Sequence, residues 1–143
     1  VTPDEKTTTI SGKGKAGLKQ EENYYFFYLP VCYKGITGKS YAYYNTSRSK
    51  NLYLPASVDE NYSYDIQLPE NLTLCTPIQE KKIDNPIGSF KITLTSEGSS
   101  LHIELALQIK KQLITPAEYP AFRSLITEWT DRTRKPILFK TVQ

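Results

Sequence analysis

The chain has 143 residues, and a single domain of that size buries roughly two-thirds of the surface its unfolded form exposes, so it needs no disulfide or metal staple to fold. Hydrophobic content is 38%, aromatic content is 12%, and eleven tyrosines stand beside one tryptophan, a mixture that suits half-buried strands better than a helical bundle. A net charge of +3 on scattered lysines and arginines lacks the basic stripe of a nucleic-acid binder, and no apolar run approaches the ~20 residues of a membrane-spanning helix.

Residues 1–20 mix Lys6, Lys13, Lys15 and Lys19 with threonines and glycines, and only Thr7–Ile10 is strand-like, so an edge strand or a loose arm is expected there. Gly12-Lys13-Gly14-Lys15 has neither the glycine spacing nor the helix of a phosphate-cradling loop. The numbering opens on Val1 rather than methionine, so the lack of a signal peptide carries no information about targeting. Residues 21–143 read as one domain.

Tyr24 to Leu29 is the most apolar stretch, and at period two it puts Tyr24, Phe26 and Tyr28 on one face and Tyr25, Phe27 and Leu29 on the other. Both faces want cover. Such a strand is either central and roofed by loops, or one of its sides meets another domain. After Pro30, Gly35 and Gly38 mark a turn-rich connection, and Tyr41–Tyr44 and Asn51–Leu54 are short strands on either side of a polar loop. Tyr62, Tyr64, Ile66 and Leu68 alternate with Ser63, Asp65 and Gln67 up to Pro69, and Leu72–Thr76 is a further short strand.

The clearest pattern lies between Ser89 and Lys110. Phe90, Ile92 and Leu94 alternate with polar residues, Ser96-Glu97-Gly98-Ser99 turns the chain, and Leu101, Ile103, Leu105, Leu107 and Ile109 resume the same period. This is a β-hairpin with one face for the core and one for water. Thr115, Pro116 and Glu118 then form a capping box, and Phe122, Leu125, Ile126 and Trp129 share one face of a helix expected over 116–133. Arg132, Arg134 and Lys135 would complement its carboxyl end, and after Pro136 the stretch Ile137–Phe139 supplies a last strand. The expected fold is mostly β: an antiparallel sandwich, immunoglobulin-like or related, with one C-terminal helix and a final short strand.

Equipment for chemistry is sparse. His102 is the only histidine and falls on the polar face of its strand with Glu104 and Gln108, far from the three or four convergent ligands that zinc takes. Cys75, His102 and Asp131 could be drawn as a thiol triad, yet Cys75 sits in a strand rather than at the helix amino terminus that would activate a thiolate. A Cys32–Cys75 disulfide and two separate buried thiols are both compatible with the spacing. Asp59-Glu60 and Glu21-Glu22 read as surface charge, and Asn45, Asn61 and Asn71 open glycan-acceptor triplets that matter only in a host that modifies them. No catalytic residue, cofactor or metal is expected.

The landmarks Asn51-Leu52-Tyr53-Leu54-Pro55, Asp59-Glu60-Asn61-Tyr62-Ser63-Tyr64, Leu68-Pro69-Glu70, Gly88 to Leu94 and Ala117-Glu118-Tyr119-Pro120-Ala121-Phe122-Arg123 resemble the uncharacterised domain that follows the core of bacterial, Bacteroides-type transglutaminase-like proteins. The likeness runs over roughly residues 45–143, and more weakly over Tyr24–Leu29. In that family the Cys-His-Asp triad belongs to the preceding core, so the resemblance implies a non-catalytic accessory or interaction domain in a periplasmic, cell-envelope or secreted protein. It implies as partner the transglutaminase-like core or an upstream domain of the same polypeptide, with Tyr25, Phe27 and Tyr43 as candidate interface positions, for which ordinary core packing is the stronger alternative. The alternative is a carbohydrate-binding module that stacks exposed tyrosines on polysaccharide, although Trp129 belongs on the buried helix face.

Overall fold

The computed structural model describes residues 7–30, 35–36, 47–131 and 136–142. In chain order they form β1 (Lys19–Glu21), β2 (Tyr24–Tyr28), β3 (Leu52–Tyr53), β4 (Val58–Gln67), β5 (Leu72–Leu74), β6 (Gln79–Asn85), β7 (Gly88–Glu97), β8 (Ser100–Ile109), β9 (Leu113–Ile114), α1 (Tyr119–Trp129) and β10 (Pro136–Thr141). Every pairing is antiparallel.

The alternation in β7 and β8 does what it predicts. Phe90, Ile92, Leu94, Leu101, Ile103, Leu107 and Ile109 are all buried on one side of the hairpin, while their sequence neighbours face out. Glu97 pairs with Ser100, which leaves a two-residue turn whose first residue, Gly98, has φ of 59°, the left-handed value a II′-type hairpin turn requires. Strand β4 pairs with β8 along all ten of its residues and β6 pairs with the far side of β7, so the order is β4-β8-β7-β6.

Strand β6 is not visible as a strand in the sequence, because Gln-Glu-Lys-Lys-Ile-Asp-Asn holds a single apolar residue. Its partner and its turn make it one. The Asn85 side-chain oxygen accepts the Ile87 N–H at 2.9 Å and closes the connection into β7. An edge strand this charged also discourages pairing with other chains.

The apolar face of this sheet is longer than one cover. Over one end lies α1, whose Phe122, Leu125 and Ile126 join Phe90, Leu107 and Ile109 in one core cluster. Over the other lies the second sheet, of order β1-β2-β10-β5, whose Ile137 and Phe139 join Leu94, Leu101 and Ile103 in another. Leu105 packs against both clusters. The result is an antiparallel sandwich whose second layer is part sheet and part helix. The Tyr64 hydroxyl donates to the Pro30 carbonyl and ties the end of β2 to β4, and burial pushes that phenol up to about 12.

The helix is shorter than expected, at 119–129 rather than 116–133. The capping box forms: the Glu118 carboxylate accepts the Thr115 N–H at 3.1 Å and the Thr115 hydroxyl receives the Glu118 N–H at 3.4 Å. It closes a preliminary turn, however. Pro120 has no N–H to give the Pro116 carbonyl, so the regular ladder starts only at Tyr119. At the other end Thr130 closes the helix, its N–H reaching the Ile126 carbonyl at 2.9 Å. Arg132, Arg134 and Lys135 lie outside the described residues, as do Cys32, Gly38, Tyr41–Tyr44 and Asn45.

Two short strands were not legible or only partly so. Strand β9 pairs with β3, and the Leu54 N–H reaches the Gln112 carbonyl at 2.8 Å, which pins the entry to the helix. At the amino end Thr7–Ile10 forms no strand and Ile10 is exposed; the edge strand of this region is β1.

Two glycines separate two kinds of constraint. A Cβ at Gly88 would stand 1.8 Å from the Gln108 carbonyl oxygen, whereas at Gly98 it would meet nothing within 4 Å. Gly98→Ala should therefore cost about 1 kcal/mol in urea melts, from the left-handed backbone alone. Gly88→Ala should cost about 3 kcal/mol or more, because the β7–β8 ladder has to part.

Candidate functional site

The outer face of the larger sheet carries a linked group of ionisable side chains, Asp65, His102, Glu104 and Lys91. In the β4–β8 register Asp65 stands directly opposite His102, and in the β7–β8 register so does Thr95. Antiparallel partners share a face, so Asp65, Thr95 and His102 meet on the solvent side. The His102 Nδ1 lies 2.7 Å from an Asp65 carboxylate oxygen, and its Nε2 lies 3.2 Å from Glu104. Glu104 in turn accepts from the Lys91 ammonium at 3.1 Å.

With a carboxylate at each ring nitrogen, the imidazole is best served by carrying both protons and donating twice. Hydrogen bonding to Asp65 first, and to Glu104 second, holds the His102 pKa above its ordinary 6.5. Lys91, then His102, hold the Glu104 carboxyl below its usual range. At the turn end of the hairpin a shallow recess of about 380 Å³ is lined by Asp65, Gln67, Thr95, Glu97, Ser100 and His102 among others. It is an open depression of mixed character, with Ile66 and Leu101 beside the polar groups. Its hydroxyls are committed, since Ser100 donates to the Gln67 side-chain oxygen Oε1 at 2.9 Å and Thr95 to the His102 main-chain carbonyl at 3.5 Å.

The thiol triad drawn from the sequence is not assembled. Cys75 is a free, half-buried cysteine beside β5 in the smaller sheet's layer, with its N–H on the Leu138 carbonyl at 2.7 Å. Asp131 follows α1, and the ring nitrogens of His102 face Asp65 and Glu104 on the open side of the other sheet. Among the described residues no group of three or more His, Cys, Asp and Glu side chains is arranged to hold a metal ion, and no helix is long and apolar enough to cross a membrane.

The candidate interface positions fall on the inner side. Tyr25 pairs with Phe139 and Phe27 with Ile137, and both aromatics pack half-buried against the core cluster that those residues share with β7 and β8. Tyr43 lies outside the described residues. The side of β2 that faces away from the core carries Tyr24, Phe26 and Tyr28, of which Tyr24 is 45% and Tyr28 52% exposed. Phe26 and Tyr28 meet edge to face with centroids 5.8 Å apart, and the Lys19 ammonium sits 5.6 Å from the Tyr28 ring centre. Periodicity divided this strand into two faces but could not say which pointed inward, because neither register contains a polar residue.

This sandwich defines a small β-rich domain, and the chain belongs to the family described as Domain of Unknown Function with solved-structure structure (DUF3858), whose model matches residues 23–139. The chain is similar to a solved structure from Parabacteroides distasonis, described there as a candidate protease, with a TM-score of 0.72 and 31% identity over 85% of this chain. It covers 24% of that protein, and so spans about a quarter of its length. No curated protein matches the chain.

Because His102 is the only histidine, its titration can be followed without assignment ambiguity. NMR of the ring protons should give a value above 6.5 in the folded protein, and Asp65→Asn should bring it down more than Glu104→Gln does. A value raised by folding means stability that is fully present below pH 6.5 and fades as the pH rises through the folded value. The difference in Tm between the wild type and His102→Ala should shrink over that window.

Proposed function

We propose that this chain is a non-catalytic accessory domain of a longer secreted or cell-envelope polypeptide, whose bond-making chemistry, of a transglutaminase-like kind, resides elsewhere on that polypeptide. The observation that carries this reading is the quarter-length match: a segment of domain size, similar along most of its length, recurs inside a protein roughly four times longer that is described as a candidate protease. The ionisable groups support it. Asp65, His102, Glu104 and Lys91 satisfy one another on an open sheet face and do not converge on a nucleophile. The setting outside the cytoplasm rests on the resemblance to Bacteroides-type transglutaminase-like proteins.

Carbohydrate binding is the second reading, and exposed tyrosines such as Tyr53, at 71%, favour it. Trp129 does not contribute a platform, since it packs between Tyr62 and Phe90 with ring centroids at 5.8 and 6.4 Å. Retention of the chain on a polysaccharide panel, lost on Tyr53→Ser, would favour this reading over the first.

Peptide cleavage and amine incorporation, assayed on this chain and on the longer polypeptide side by side, test the accessory role. Turnover is expected from the longer polypeptide and none from the chain, and Cys75→Ser in the longer polypeptide should leave its rate within about twofold, because Cys75 lies in the opposite layer from His102. Turnover by the chain alone, lost on Cys75→Ser or His102→Ala, would sink the proposal.

A further inference from the structure

Among the described residues two sheet faces point away from the core, and they differ in kind. The outer face of the larger sheet is polar along every strand, with Asp65, His102, Glu104 and Lys91 already paired among themselves. Water suits it. The outer face of the smaller sheet is different: in the β2–β10 register Tyr28 pairs with Pro136 and Phe26 with Leu138, which makes an apolar and aromatic centre on the side away from the core, with Tyr24 beside it and Lys140, Lys19, Glu21 and Thr73 in register at its rim.

A sheet in a two-layer domain needs one apolar face, and this one has two. Its inner face, through Ile137, Phe139, Tyr25 and Phe27, is already covered by the larger sheet. The outer aromatics contribute nothing to that core, while Tyr24 and Tyr28 remain about half exposed. Rigid amphipathic tyrosines around a phenylalanine are the composition that protein interfaces favour, since they bury much area for little lost side-chain entropy.

From these observations we infer that the outer face of the β1-β2-β10-β5 sheet is the surface on which the remainder of the longer polypeptide docks. The inference rests on the accessory-domain reading above. What selects this occupant is chain length: in the similar Parabacteroides protein the matched part is 24% of the chain, which leaves about three quarters of a polypeptide to be held next to this domain. Covering Tyr24, Phe26 and Tyr28 there removes the apolar surface that the isolated domain leaves in water.

Hydroxyl-radical footprinting reads the native tyrosines without any substitution. Oxidation of Tyr24 and Tyr28 should slow at least fivefold in the longer polypeptide relative to this chain alone, with Tyr53 on β3 changing less than twofold as the internal reference. Equal rates at Tyr24 and Tyr28 in the two samples would overturn the docking face, while leaving the accessory role to stand or fall on the turnover assay. Protection that appears in the chain alone and grows with its concentration would assign the face to a second copy of the domain, and would overturn the inference as well.

Discussion

The apolar face of the β7–β8 hairpin must be covered along its whole length, and the rest of the fold follows from how that is done. Ten-residue strands place Ile109, Leu107 and Phe90 at one end of the face and Leu101, Ile103 and Leu94 at the other. An eleven-residue helix covers the first group and cannot also reach the second. The second is closed by a sheet whose central strand, β10, comes from the end of the chain and lies between β2 and β5. Each of Phe122, Leu125 and Ile126 is fully buried, which stabilises the docked helix by about 1.5–3 kcal/mol per side chain before entropy is counted. Leu105, touching both clusters, joins the two halves of the core.

Where one face of an element is apolar and the other polar, its sequence reports its structure. The hairpin, the Gly98 turn, the Tyr62–Gln67 part of β4 and the buried stripe of α1 were legible on that basis, whereas Val58–Asn61, with Asp59-Glu60 read as surface charge, belongs to the same strand. Legibility fails where the pattern lacks contrast. Strand β6 is almost wholly polar and exists because β7 offers a ladder and Asn85 turns the chain, two facts that no periodicity within Gln79–Asn85 contains. The two residues of β9 are too few to show a period at all. Strand β2 has the opposite defect, with apolar residues in both registers, so the expectation that Tyr25 and Phe27 form an interface selected the inner face, where Ile137 and Phe139 meet them. The helix start illustrates competition between signals: the capping box at Thr115 and Glu118 was readable, and so was Pro120, but their combined effect is a separate first turn.

Candidate functional groups were legible by type more than by grouping. His102 was correctly read as a strand histidine on the polar face, beside Glu104. Its cross-strand contact with Asp65, 37 residues away, depends on the β4–β8 register, which alternation alone does not specify. The same limit applies to Cys75, whose sequence could not say that it would sit in the opposite layer from His102. The two open faces therefore carry opposite meanings. One is a polar surface closed upon itself by ion pairs, and the other carries the half-exposed Tyr24 and Tyr28 on either side of Phe26.

The most direct measurement of the account is native-state amide hydrogen exchange across the described strands. If the hairpin face is what both covers depend on, the slowest amides lie in β7 and β8 and exchange only with global unfolding, while β2, β10 and α1 open at equal or lower free energy. A slowest set confined to the smaller sheet or to α1, with β7 and β8 exchanging faster, would contradict it.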